Sequence, residues 1–174
     1  IHPGQLNLMT AGSGIAHSEM STDLAAAPVT HGAQLWIALP DSARHGEPFF
    51  ESYVPQPIAL GAATVRVFVG SLGGATSTAR VFTELLGAQS DLPAGASVAL
   101  PLDPRFEHGV LLDSGHLDVN GTALPVSHLG YLPVGEPVTL TAGATDARLL
   151  LLGGVPLGEK IVMWWNFIGR SHDE

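Results

Sequence analysis

The sequence predicts an all-β protein made of short antiparallel strands. Two observations carry that expectation. The chain of 174 residues contains 21 glycines and 13 prolines, which weaken or break helices, and only 13% of its positions are Asp, Glu, Lys or Arg, too few for the wet face of a helical bundle. Its apolar and β-branched residues gather in short runs closed by Gly, Pro, Asp or Ser.

In chain order, strands are expected at Gln34–Leu39, Thr64–Val69, Ala79–Leu86, Ser97–Leu102, His108–Leu112 and Ala147–Leu152. Asn120-Gly121 lies between HLDV and TALPV, and this pair supplies the positive φ angles of a two-residue hairpin turn. Val54-Pro55-Gln56-Pro57 reads as a linker, because each Pro lacks an amide donor and biases its predecessor toward extended backbone. The runs from Ile1 to Gly12 and from Leu129 to Gly143 share a layout, a Pro/Gly turn followed by an apolar strand ending in Thr-Ala-Gly. That layout fits two copies of one β-barrel unit in tandem. His2-Pro3-Gly4 is a turn with no element before it, and Ser171-His172-Asp173-Glu174 has capping-box spacing with no helix after it. Both signals are expected of a segment of a longer protein.

Composition narrows the function. The formal charge of −9 repels phosphate backbones, which argues against direct nucleic-acid binding. No apolar run approaches the ~18 residues of a membrane span. The absence of cysteine removes disulfides, thiolate metal sites and a Cys nucleophile, and points to a reducing, cytoplasmic setting. Neither a phosphate-binding P-loop nor a G-x-S-x-G nucleophile elbow occurs, so the Gly-rich pieces Gly12-Ser13-Gly14 and Gly70–Gly74 are expected to be turns. Trp164-Trp165-Asn166-Phe167 is expected to close a core or join two domains rather than stack a ligand.

The chemistry-bearing stretch is Gly12-Ser13-Gly14-Ile15-Ala16-His17-Ser18-Glu19. If Ala16–Met20 is extended, His17 and Glu19 share a face, and an imidazole nitrogen and a carboxylate oxygen can converge on one transition-metal ion. The plainer alternative is that the two side chains bond each other or face solvent. Two ligands hold such an ion poorly, and His2, His31 and His45 offer no obvious completion.

The strings PGQLNLMTAGSGIAHSE, HGAQLWIALP and EKIVMWWNFIGRSHDE together resemble the pirin family, a branch of the cupin superfamily, over nearly the whole chain. The resemblance implies two tandem cupin-type barrels, double-stranded β-helices of jelly-roll kind, the first of them incomplete. Residues 1–57 would be the C-terminal part of the metal-binding barrel, 58–157 a cupin-like barrel without metal, and 158–174 a tail leading into a helix. In pirins one metal, usually iron, is held by three histidines and a glutamate. By resemblance His17 and Glu19 are two of these ligands, and the other two belong to a His-x-His motif that this sequence lacks and that is expected before Ile1. Fe(2+) is the favoured ion, with Mn, Co, Ni, Cu and Zn as alternatives. His108 and His116 in the second barrel are expected to be ordinary polar residues at strand ends.

The activity this implies is that of a quercetin 2,3-dioxygenase, opening a flavonol-like small molecule with O2, with Glu19 either binding the metal or accepting the substrate hydroxyl proton. The rival is a metal-dependent regulatory protein that binds a transcription factor or a metabolic enzyme without turnover. A third reading is a metal-free barrel or an inert piece. A monomer is expected.

Overall fold

Alternating burial marks the strands. In Ala63–Val69 the residues Ala63, Val65, Val67 and Val69 are buried while Thr64, Arg66 and Phe68 point the other way, the period-two pattern of a sheet with one face on a core. The computed structural model describes residues 2–18, 20, 29 and 31–174. Among them the chain forms strands and no α-helix, so it is all-β as the sequence predicts.

In order the strands are β1 (Leu6–Thr10), β2 (Phe49–Tyr53), β3 (Ile58–Leu60), β4 (Ala63–Val69), β5 (Ser71–Leu72), β6 (Ala75–Thr76), β7 (Leu85–Leu92), β8 (Ser97–Leu100), β9 (Glu107–Ser114), β10 (Leu117–Val119), β11 (Thr122–Leu124), β12 (Leu129–Leu132), β13 (Val138–Ala142), β14 (Ala147–Gly154), β15 (Val162–Trp164) and β16 (Phe167–Gly169). A six-stranded sheet runs β12-β9-β14-β7-β4-β3 and a four-stranded sheet runs β11-β10-β13-β8, with antiparallel ladders throughout. β1 and β2, β5 and β6, and β15 and β16 form two-stranded sheets.

The described chain divides into two compact units, Ile1–Leu8 with Phe50–Gly158, and Met9–Phe49 with Glu159–Glu174. In the first unit the two large sheets share one core. Val110, Leu149 and Leu151 from one sheet and Val98, Val138 and Leu140 from the other belong to the same buried cluster. Each such side chain contributes about 1.5–3 kcal/mol by leaving water. The Asn120-Gly121 hairpin forms between β10 and β11 with φ of 50° and 79°, and the Asn120 side chain also accepts from the Thr139 amide at 2.8 Å and donates to the Pro137 carbonyl at 2.8 Å.

The related layouts at the two Pro/Gly turns recur in geometry. Gln5 N–H donates to His2 O at 3.0 Å with Gly4 at φ 77°, and Glu136 N–H donates to Pro133 O at 3.1 Å with Gly135 at φ 83°. Each turn precedes a strand, β1 or β13.

Three expectations change. Gln34–Leu39 is not a strand: no ladder runs beside it among the described residues, and Leu35, Trp36 and Ile37 are exposed. A short apolar run makes a strand only where a second backbone completes its hydrogen bonds. The run expected at Ala79–Leu86 starts at Leu85 instead, because Ser77 Oγ donates to Phe68 O and accepts from Ala79 N–H, and Glu51 takes the Arg80 amide, which holds this backbone off the ladder. Trp164 and Phe167 do not close a core. They flank the β15–β16 turn at 78% and 72% exposure, with Trp165 at its tip in the left-handed region at φ 51°.

Candidate functional site

The stretch carrying His17 leaves a tight turn that only glycine permits at its first position. Gly12 has φ 52°, and a Cβ there would stand 2.1 Å from the Gly46 carbonyl oxygen. Gly14 N–H closes the turn onto Ala11 O at 2.9 Å, while Ser13 donates its amide to Gly46 O at 2.9 Å and its hydroxyl to His45 O at 2.8 Å. The turn is thus tied to the backbone at 45–46.

That backbone belongs to a second turn, in which the Ala43 and Arg44 amides donate to Pro40 O and the Gly46 amide to Ala43 O. The C-terminal segment grips it. Arg44 donates to Asp41 at 2.8 Å and makes two bonds to the Glu174 carboxylate. Glu159 accepts from the Asp41 amide and from Arg170, and Arg170 also donates to Leu39 O at 2.6 Å. Glu174 accepts the Arg170 amide at 2.8 Å. The guanidinium of Arg44 holds the Glu174 carboxyl below the usual carboxylate range. The Asp41 amide, then Arg170, does the same for Glu159, and Arg44 is pushed up chiefly by its bond to Glu174. Fixed charges of this kind bind and position; they do not carry protons near neutral pH. Glu159, Arg170 and Glu174 lie inside the tail string already legible in the sequence. Asp41 and Arg44 escaped notice because the tail residues they bond, Glu159 and Glu174, lie 118 and 130 positions away.

Of the predicted site residues, His17 is exposed on irregular backbone, and Glu19 lies outside the described residues. Among the described residues no three His, Asp or Glu side chains come together as metal donors. These residues therefore do not by themselves complete the donor set of a mononuclear iron site. His116 is exposed and pairs Nδ1 with Thr145 Oγ1 at 2.9 Å. His108, expected to be an ordinary strand-end residue, is instead buried in the core.

The 50–158 unit also bears a cavity of about 420 Å³ bounded by Thr64, Asp91, Ser114, Asp146 and Arg148. Its central carboxylate is engaged: Asp91 accepts from Arg148 at 2.7 Å, Gln89 at 3.0 Å and Arg66 at 3.4 Å. With three donors upon it Asp91 is suited to structure rather than to base catalysis.

Residues 87–174 match the family model described as the pirin C-terminal cupin domain, and residues 1–37 match the pirin model. The chain belongs to the pirin family. It is 43% identical along its whole length to a Pseudomonas aeruginosa protein named "Putative quercetin 2,3-dioxygenase", of which it covers 55%, and 28% identical to human Pirin, of which it covers 62%. It also superposes on a crystal structure of quercetin 2,3-dioxygenase from Acinetobacter baumannii with a TM-score of 0.87 and 34% identity, over 99% of this chain and 57% of that one. The cupin fold is thereby established for this pirin, and the chain spans a little over half the length of these relatives.

Proposed function

We propose that this pirin chain is part of a metal-dependent dioxygenase of the quercetin 2,3-dioxygenase kind, which opens a flavonol-like substrate with O2. The observation that carries the reading is the joint likeness, in sequence and in fold, to proteins bearing that name. In this reading residues 1–57 and the tail belong with the metal-bearing barrel, and 58–157 form a second barrel that holds no metal. His17 brings an imidazole to an Fe(2+) ion and Glu19 a carboxylate, the remaining donors lying outside the described residues. In the same reading Glu19 either stays on the metal or, once displaced from it, accepts a proton from a substrate hydroxyl. The 12–14 turn and the tail network support it by fixing the backbone from which His17 departs.

The experiment is anaerobic iron loading of the full-length protein followed by quercetin and oxygen. Oxygen uptake that depends on both iron and quercetin is expected. Iron binding without uptake, together with metal-dependent capture of a protein partner, would replace the enzyme reading with the regulatory one.

A further inference from the structure

The core of the 50–158 unit contains a histidine that the site above does not use. His108, the second residue of β9, is 3% exposed and faces inward with Val110 and Leu112. Among the described residues neither of its ring nitrogens has a hydrogen-bond partner. Its seat is hollowed from the neighbouring strand. Gly153 is its ladder partner on β14, and a Cβ there would stand 2.5 Å from Cδ2 and 3.1 Å from Nε2. Its partner on β12 is the buried Leu132, and the Phe106 ring lies 6.1 Å away, tilted by 34°. An imidazole enclosed this way has given up its water without replacing those hydrogen bonds.

The surrounding charges give it a way out. In the loop before β9, Asp103 is the acid whose field favours a charged His108, and it makes no hydrogen bond to the ring. Arg105 of the same loop is held by Asp103 and by Glu84. On β9, Glu107 accepts the Tyr131 hydroxyl of β12 at 2.8 Å. β14 contributes glycines here and β7 contributes Leu85 and Leu86. Of these groups Asp103 acts on the ring only through its field, which does not offset the burial of an imidazolium inside the core.

We propose that His108 is an acid-sensitive release for this end of the barrel: neutral, it is a core residue; protonated, it leaves the core toward Asp103 and loosens β9 from β12 and β14. Burial lowers the basicity of the ring below its ordinary value of 6.5, so the open state takes up the proton first. Stability is full above pH 6.5 and falls as the pH drops from there toward the lower folded value, by up to about tenfold in the closed-to-open ratio per pH unit.

The test is amide hydrogen exchange of the full-length protein between pH 7.5 and 5, corrected for intrinsic exchange, in wild type and His108→Leu. Opening of β9, β12 and β14 should rise below pH 6.5 in wild type by more than in the variant, and the variant should be the better protected at neutral pH. Equal pH slopes in the two proteins would overturn the proposal. Should the variant fail to fold, NMR of the wild-type His108 ring decides. Protonation below pH 6.5 concurrent with loss of β9 protection supports the release, whereas protonation at 6.5 or above with those amides still protected refutes it.

Discussion

Arg44 and Glu174, 130 positions apart in the sequence, meet in a two-point pair, Nη1 to Oε2 at 2.8 Å and Nη2 to Oε1 at 3.2 Å. The same carboxylate takes the Arg170 amide, and Arg170 reaches Leu39 O and Glu159. A planar fork matched to a carboxylate fixes orientation as well as distance. The last residues of the chain are therefore docked through fixed charges onto the turn that supports the 12–14 segment.

Glu174→Gln and Arg44→Ala should each raise hydrogen exchange in residues 40–46 and 170–174 while leaving β4, β7 and β14 unchanged. Arg44→Lys should restore only part of the protection, because an ammonium cannot make the paired contact. Raising the salt should mimic the lesion weakly, since these side chains are partly exposed.

The acid response of this network has a definite sign. Glu159 and Glu174 are held below their ordinary value of 4.5, so their contribution is fully present above that pH and is lost as the pH falls through their lower folded values. NMR signals of residues 40–46 should stay native at pH 5 and be lost only below 4.5.

Gly12→Ala should destabilise the turn by more than about 1 kcal/mol, since it combines a left-handed φ with a collision against the Gly46 carbonyl. Thermal unfolding checks the size, and iron content of the full-length protein should fall with it. Gly121→Ala, also at positive φ but with open space around it, should lower stability without changing iron content.

Leu149→Ala, at 0% exposure in the shared core, should cost about 2–5 kcal/mol in urea unfolding. A cost near that of a surface change would mean the two large sheets are not packed as described.

His17→Ala and Glu19→Gln should each weaken iron binding by the full-length protein by more than about tenfold, the lower end of what even outer-sphere partners of metal ligands cost. Unchanged iron content in both would remove these residues from the metal centre while leaving the fold assignment intact.

Much of this was legible in the sequence. The Asn120-Gly121 hairpin, the two Pro/Gly turns and the strands at Thr64–Val69 and Ala147–Leu152 follow from local chemistry that the wider fold does not oppose. The strand expected at Ser97–Leu102 stops at Leu100 because Pro101 has no N–H to continue the ladder. Gln34–Leu39 misled because an apolar run is a property of the segment, whereas a strand is a property of a pair. The tail spaced like a capping box does something else: Glu174 reaches back to the amide of Arg170 rather than that of Ser171, and spends its other contacts on Arg44.

By itself the sequence determined the all-β class, the family and the His17–Glu19 pair as the point of chemical interest, because turn residues, strand periodicity and short contiguous motifs are encoded within a few positions of one another. Only the tertiary structure decided that His108 is sealed in a core without partners, that Asp91 is engaged by three donors, and that Arg44 is joined to Glu174. Those outcomes depend on which distant strands become neighbours, and burial and charge pairing are set by that neighbourhood rather than by the residue's own flanks.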